Sequence, residues 1–138
     1  DKLRAIGHEF GVTTGRPRRC GWFDAVACDY ACWMNGVTDV CLTKIDVLDT
    51  FETIKVCTGY MIDGEYYSHL PETRLQERAK PIYTDFEGWM EDTTGCRKWE
   101  DLPEKCRTFI LELEKLIKTP ITLISVGPER DQLIIREK

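Results

Sequence analysis

This sequence of 138 residues has no long apolar run, no closely paired cysteines and only two histidines. Because no stretch of 18 or more residues is apolar, we predict no membrane-spanning helix. The seven cysteines form no C-x-x-C pair and only two histidines are available, so we predict no zinc site, which would need closely spaced soft ligands. We instead expect reduced thiols that pack as small apolar side chains in a cytoplasmic protein.

Several catalytic motifs are also missing. The sequence has no Walker A element, no H-E-x-x-H and no G-x-S-x-G. A nucleophilic cysteine would need a histidine placed beside it. We interpret His8 as a loop residue and His69 as a residue on a strand surface. We therefore predict no catalytic residue and no metal ligand in this segment.

The charge and the aromatic residues argue against nucleic-acid binding. The formal net charge is −5, and a mildly acidic protein has no general affinity for nucleic acid. The four tryptophans are expected to pack in the core or against helices rather than to form a base-stacking platform; they are Trp22, Trp33, Trp89 and Trp99. The sequence begins at Asp1 without a charged and apolar leader, so we expect a fragment or a processed product without a secretory signal.

What is present is typical of a globular domain that mixes helices and strands. Hydrophobic residues make up 42% and charged residues 31%, which argues against disorder. Helical spacing predicts helices over residues 22–35 and 102–118. Strands are predicted at residues 40–42, 53–61, 65–69, 80–89, 121–124 and 132–136. The Asp63-Gly64 pair predicts a β-hairpin between two of these strands.

Two of the predicted strands run directly into polar loops. One leads into Thr-Lys-Ile-Asp at residues 43–46, and the other leads into Ser-Val-Gly-Pro at residues 125–128. In open α/β sheets, ligands bind outside the carboxyl ends of strands. Both loops are therefore in a position to contact a ligand.

Residues 43–46 match the [N/T]-K-x-D element with which GTP-binding proteins read guanine. The Asp46 carboxylate could accept hydrogen bonds from the ring N–H and the exocyclic amine of guanine, whereas adenine would leave it unpaired. The stem of Lys44 could lie along the base. On these four residues alone, a polar exit from a strand is the simpler explanation. The second loop, whose amides could meet the guanine carbonyl, makes the two explanations about equally well supported.

Residues 7–21 are predicted to be a loop because glycine punctuates them and arginine is frequent. Gly15 would let the backbone come close to a ligand. The guanidinium groups of Arg16, Arg18 and Arg19 could bind a carboxylate or a phosphate through paired hydrogen bonds. A solvated basic loop is the alternative, but the combination of arginine, threonine and glycine favours a small anionic ligand.

Three motifs together resemble the adenylosuccinate synthetase family. They are G-V-T-T-G-R-P-R-R-C-G-W at residues 11–22, L-T-K-I-D-V-L-D at residues 42–49 and S-V-G-P at residues 125–128, and their order and spacing match over essentially the whole chain. The resemblance implies the C-terminal part of a P-loop-NTPase-like α/β fold, with a mixed sheet, flanking helices and a hairpin. It also implies a cytoplasmic, homodimeric ligase that uses GTP and Mg²⁺ to join IMP and L-aspartate into adenylosuccinate, in purine biosynthesis.

The resemblance implies a role for each matched position. The substrate loop over residues 11–21 is implied to bind IMP and aspartate through Val12, Thr13, Thr14, Gly15, Arg16, Pro17 and Arg18. GTP is implied to contact Arg18, Lys44, Ile45, Asp46, Ser125, Val126 and Gly127.

The resemblance also implies what this segment leaves out. The family's Gly-rich phosphate-binding segment, catalytic Asp and catalytic His lie upstream of the matched region, so we expect the segment alone to be inactive. Asp29 stands where close bacterial relatives are expected to carry a basic residue, which could affect packing or a subunit surface. A stand-alone guanine-nucleotide or anion-binding module without catalysis is the alternative.

Overall fold

A computed structural model describes residues 1–136, and helices and strands are interspersed along the chain. The helices are α1 (Lys2–Ile6), α2 (Ala25–Asn35), α3 (Thr73–Gln76) and α4 (Glu104–Ile117), with short 3-10 helices at Ile45–Leu48 and Trp99–Asp101. The strands are β1 (Phe23–Asp24), β2 (Val40–Leu42), β3 (Thr53–Ile62), β4 (Glu65–Tyr67), β5 (Lys80–Glu87), β6 (Ile121–Ser125) and β7 (Leu133–Ile135). The predicted α/β class is confirmed.

The predicted mixed sheet is present as two mixed sheets. In the first, β3 pairs in parallel with β1 and antiparallel with β4 and β5. In the second, β2 pairs in parallel with β6, which pairs antiparallel with β7. The apolar stripe of α4 lies in the same buried cluster as residues of both sheets, among them Ile54, Val56, Ile121 and Ile124. This single helix face therefore joins the two sheets into one core.

The predicted hairpin is confirmed, and its turn has the backbone that the sequence demands. Asp63 has φ +51° and Gly64 has φ +89°. Two consecutive positive φ angles match the right-handed twist of the flanking strands, and Asp-Gly is a favoured pair for such a turn. The return strand ends at Tyr67, so the predictions that it reaches residue 69 and that His69 lies on a strand were wrong, because His69 lies in a bend.

Helix α2 differs from its prediction at its beginning and on one face. It begins at Ala25 rather than at residue 22 because the Asp24 side chain caps it, accepting a hydrogen bond from the Ala27 amide at 2.9 Å. It ends at Gly36 in the left-handed conformation, as the Asn-Gly stop signal predicts. Trp33 was expected to pack, but it is 75% exposed, since helical spacing does not say which face meets the core.

An ion pair joins α2 to the end of α4. The Asp29 carboxylate forms an ion pair with Lys118 Nζ at 2.7 Å, and Lys118 is the residue that ends α4. Asp29 therefore takes part in a contact between the two helices. Within residues 1–136, none of the helices combines the length and apolar character needed to cross a membrane.

Candidate functional site

The loop predicted to read guanine leaves β2 through a strained residue. Lys44 has φ +62° and precedes the 3-10 helix Ile45–Leu48. A lysine in the left-handed conformation is uncommon, and such residues cluster at ligand sites. Ile45 is buried in the core, so it anchors the loop from below. Packing at Ile45 therefore fixes the positions of Lys44 and Asp46 on either side of it.

The carboxylate of Asp46 is left incompletely paired. Its Oδ1 atom is buried and has no hydrogen-bond partner among the described residues. Buried polar atoms in proteins are nearly always hydrogen-bonded, because an unpaired one loses its interaction with water. An acceptor that is buried and unpaired at the end of a strand is suited to a ligand that brings its own donors.

The second predicted loop lies beside the first at the same edge of the sheet. Strands β2 and β6 are parallel neighbours, with Leu42 opposite Ile124, so the segments that follow them leave the sheet at the same edge. The loop is held locally: the Val126 amide donates to the Gln132 carbonyl at 3.0 Å, and Ser125 Oγ donates to the Gly127 carbonyl at 2.9 Å.

Gly127 lies against the end of the Gln132 side chain. A Cβ atom at this position would lie 2.1 Å from Gln132 Oε1, far closer than atoms can approach. A larger residue here would require the Gln132 side chain to move away from Glu129 and Thr94, to which it is hydrogen-bonded.

The substrate loop forms a small hairpin that stands out from the surface. An isolated bridge joins Phe10 to Pro17, and the Gly11 amide donates to the Arg16 carbonyl at 2.8 Å. Gly15 turns the chain with φ +64°, as its predicted role requires. Val12, near the tip, is 98% exposed. The predicted binding residues 12–18 therefore lie on an accessible loop.

Glu9, which the sequence did not single out, joins the loop at residues 11–21 to the loop at residues 43–46. The Glu9 carboxylate accepts hydrogen bonds from Arg18 Nη1 at 3.2 Å and from Lys44 Nζ. Lys44 Nζ also donates to the Gly7 carbonyl at 3.0 Å. The pKa of Glu9 is lowered, first by the hydrogen bond from Lys44 and also by Arg18. A lone acid beside a basic loop was the only signal in the sequence, and it does not identify the partners.

These residues surround a cavity of about 370 Å³. It lies between the two loops and is lined by Leu3, Gly7, Glu9, Arg18, Arg19, Cys20, Gly21, Lys44 and Val47. The structure thus brings Arg18 and Lys44 to one cavity. The other predicted site residues within 1–136 do not line it: residues 12–17, Ile45, Asp46 and residues 125–127.

Burial raises the pKa of four cysteine thiols, those of Cys28, Cys57, Cys96 and Cys106, so these four are not activated as nucleophiles. Burial raises the pKa of Cys106 to about 12, and burial together with neighbouring Cys32 raises that of Cys28 to about 11. The expectation of packed thiols holds for Cys32, Cys57, Cys96 and Cys106, which are buried, but it was wrong for Cys20 and Cys41, which are exposed. Residues 1–136 contain no group of three or more His, Cys, Asp or Glu side chains that could hold a metal ion.

Known proteins similar in sequence identify the family to which this chain belongs. The family model for adenylosuccinate synthetase matches residues 1–134. The chain belongs to the adenylosuccinate synthetase family. It is 55% identical to the adenylosuccinate synthetase of Geobacter sulfurreducens, with 98% of this chain and 31% of that protein aligned. It is 52% identical to the adenylosuccinate synthetase of Caenorhabditis briggsae, with 100% and 32% aligned.

A solved adenylosuccinate synthetase shares the fold. The fully ligated enzyme of Plasmodium falciparum superposes with a TM-score of 0.91 at 40% identity, over 99% of this chain and 33% of that one. The chain therefore spans about a third of the length of the relatives that it matches. The resemblance inferred from three short motifs is confirmed, and so is the fold that it implied.

Proposed function

We propose that this chain is the part of a GTP-dependent ligase that reads guanine and supplies the loop for IMP and L-aspartate. The complete enzyme would form adenylosuccinate in the AMP branch of purine nucleotide biosynthesis. Family membership supports the ligase assignment. The observation that carries the guanine-reading role is the buried, unpaired Oδ1 of Asp46.

Guanine offers the donors that this carboxylate lacks. Its ring N–H and exocyclic amine lie side by side, so one carboxylate can accept both, and pairing would relieve the cost of the buried oxygen. Lys44 precedes Ile45 on the same loop, and its aliphatic stem would pack along the base. The Val126 amide is already bonded to Gln132, so Gly127 is the better candidate to meet the guanine carbonyl.

The substrate loop would hold the anionic partners. Thr14 and Arg18 would bind the carboxylates of aspartate, and Arg18 would also lie near GTP because it shares a cavity with Lys44. Arg16 would contact both aspartate and the ribose of IMP. An exposed hairpin with a glycine at its turn can close over such ligands and exclude water, which strengthens charge-assisted hydrogen bonds.

The remaining parts of the reaction are assigned to the rest of the enzyme. A base must deprotonate IMP so that its oxygen attacks the γ-phosphate, and Mg²⁺ must neutralise the developing charge. Following the resemblance to the family, we assign the Mg²⁺ ligands to the rest of the enzyme. A cytoplasmic homodimer remains the expected form of the full-length protein.

A stand-alone module that binds guanine nucleotides or anions without catalysis is the second candidate. It is supported by groups that lie within this chain, namely the unpaired Oδ1 of Asp46 and the cavity shared by Arg18 and Lys44. Adenylosuccinate formation by the 138-residue chain alone, supplied with GTP, IMP, L-aspartate and Mg²⁺, would contradict both this candidate and the assignment of catalysis to other segments.

The test of guanine reading is the Asp46→Asn variant of the full-length enzyme. An amide can donate to the extra carbonyl of xanthine, whereas a carboxylate would be repelled by it. Since each mispaired buried polar group costs roughly 1–3 kcal/mol, we expect the preference for GTP over xanthosine triphosphate to shift by about tenfold to a few hundredfold. Steady-state kinetics with each nucleotide measure it.

The matched control is Asp63→Asn, which changes an exposed carboxylate that pairs with Arg78 at the hairpin turn. This variant should keep the wild-type nucleotide preference. If Asp46→Asn also keeps it, Asp46 does not read the base, and residues 43–46 are a polar exit from β2.

A further inference from the structure

Glu9 occupies a position that neither the family motifs nor the proposed ligand contacts explain. One of its carboxylate oxygens accepts from Lys44, and the other accepts from Arg18. Lys44 belongs to the guanine-reading loop, and Arg18 belongs to the substrate loop. A single carboxylate is therefore shared between the two cations that are proposed to serve different ligands.

The backbone holds Glu9 in place for this contact. Its amide donates to the Arg4 carbonyl at 3.0 Å, and its carbonyl accepts from the Arg18 amide at 3.0 Å. Arg4 Nε in turn donates to the Arg18 carbonyl at 2.8 Å. The Glu9 side chain is 22% exposed, whereas those of Arg18 and Lys44 are 57% and 53% exposed. The acid is thus the fixed partner, and the two cations are free to exchange it for another anion.

We propose that Glu9 is a positioning residue that couples the two loops. When Arg18 binds an anion, Glu9 binds Lys44 more tightly. When a nucleotide binds beside Lys44, Glu9 releases Arg18 more easily, and Arg18 can then bind its anion. The coupling of GTP to aspartate rests on the function proposed above. The sharing of the carboxylate does not, because it is a property of the chain without ligands.

The sign of the coupling follows from the sharing of one negative charge. While Arg18 and Lys44 both bind Glu9, each neutralises part of the charge that attracts the other. When a carboxylate or phosphate of a ligand binds Arg18 in place of Glu9, the whole charge of Glu9 acts on Lys44. This fixes the position of the loop that carries Lys44. Coupling between two sites is reciprocal, so nucleotide that holds Lys44 in place must help the anion bind by the same factor.

Removing Glu9 therefore has an effect that a merely structural residue would not have. Glu9 competes with the substrate anion for Arg18. The Glu9→Gln variant keeps the shape of the side chain but removes its charge. In this variant the anion should bind more tightly when the nucleotide concentration is low. Nucleotide should no longer increase the affinity for the anion. Loss of a structural contact would weaken both ligands together.

The first experiment uses the 138-residue chain without ligands. Lys44 is labelled with a limiting amount of an amine-reactive reagent, and mass spectrometry measures its rate relative to Lys55. Glu9→Gln should raise the labelling rate of Lys44. Arg18→Ala should lower this rate, because Lys44 then no longer shares the Glu9 carboxylate with Arg18. Changes of about twofold to fivefold match the strength of exposed ion pairs.

An Arg18→Ala variant in which labelling of Lys44 rises or does not change would overturn the proposal. Lys55, which pairs with Asp85 at 2.8 Å, is the internal reference, and Glu87→Gln, at the ion-pair partner of Lys105, is the matched control variant. It removes an exposed carboxylate from a lysine away from both loops and should leave the labelling of Lys44 unchanged.

The second experiment measures coupling in the full-length enzyme. The KM for GTP is measured at low and at saturating L-aspartate, and the ratio of the two values is the coupling factor. We expect a wild-type ratio of about two to five, a ratio near one in Glu9→Gln, and an intermediate ratio in Glu9→Asp, which keeps the charge on a shorter side chain. The effect should fall on KM more than on kcat.

The two experiments separate the failure of the proposal from the failure of the proposed function. If the wild-type enzyme forms no adenylosuccinate, the proposed function is wrong, and labelling still decides whether Glu9 is shared. If the enzyme is active but Glu9→Gln keeps the wild-type ratio, or raises both KM values together, the coupling role is wrong.

Discussion

Removal of the buried Asp49 carboxylate should destabilise the fold more than any surface change near the site. Asp49 is 8% exposed and directly follows the 3-10 helix that carries Asp46. It accepts hydrogen bonds from Trp89 Nε1 at 2.6 Å, from the Thr93 amide at 2.7 Å and from Thr93 Oγ1 at 3.0 Å. It therefore ties the guanine-reading loop to the segment that follows β5.

The magnitude comes from the donors that Asp49→Ala would leave behind. The Trp89 indole and the Thr93 amide and hydroxyl belong to residues that are at most 3% exposed, so water reaches them poorly. An unsatisfied buried donor costs roughly 1–3 kcal/mol. Because the Thr93 hydroxyl can rotate to a new partner, we expect a loss of about 3–5 kcal/mol in the free energy of unfolding.

Urea denaturation followed by tryptophan fluorescence measures this loss. The matched control is Asp92→Ala, which removes an exposed carboxylate that, within residues 1–136, accepts only from Thr94, at 2.9 Å and 2.6 Å. The control should unfold close to the wild-type midpoint. If Asp49→Ala loses no more stability than the control, the network around Asp49 does not hold the loop.

The pH dependence gives a second check of the same residue. Burial raises the pKa of Asp49 above its ordinary value of 3.8, and the hydrogen bonds from Thr93 and Trp89 only partly oppose this. The folded state thus binds the proton more tightly than the unfolded state. The stability that this proton contributes is present below pH 3.8 and is lost as the pH rises through the folded pKa. Relative to Asp49→Asn, which does not titrate, the wild type should therefore lose stability as the pH rises through this range.

Two further predictions concern the arginine of the substrate loop and the thiols. Arg18→Leu in the full-length enzyme should raise the KM for L-aspartate by about 10- to 100-fold, because a hydrogen-bonded charge pair is lost. The control Arg78→Leu, at the hairpin, should leave this KM unchanged. An unchanged KM in Arg18→Leu would contradict the role of Arg18. In the native chain, the exposed Cys20 and Cys41 should react with a disulfide reagent first. Cys106, whose pKa burial raises to about 12, should react only on unfolding, and rapid labelling of Cys106 in the folded chain would contradict its buried state.

The sequence by itself determined features that depend on residues adjacent in the chain. The turn at Asp63-Gly64 followed from the backbone angles that this pair tolerates. The helix that became α4 followed from an apolar stripe repeated at helical spacing, and the positions of the two polar loops followed from the short strands before them. The motifs also identified the family, because a rare string of residues carries more information than composition does.

Only the tertiary structure decided which distant residues meet. That Trp33 lies on the exposed face of α2 depends on how this helix packs against α4. The unpaired Oδ1 of Asp46 can be recognised only when every neighbouring donor has a position. The sharing of Glu9 by Arg18 and Lys44 joins segments that no periodicity connects. Hydrogen bonds join atoms about 3 Å apart in space. Contacts of this kind therefore depend on how the folded chain packs, and they produce no recognisable pattern in the amino-acid sequence.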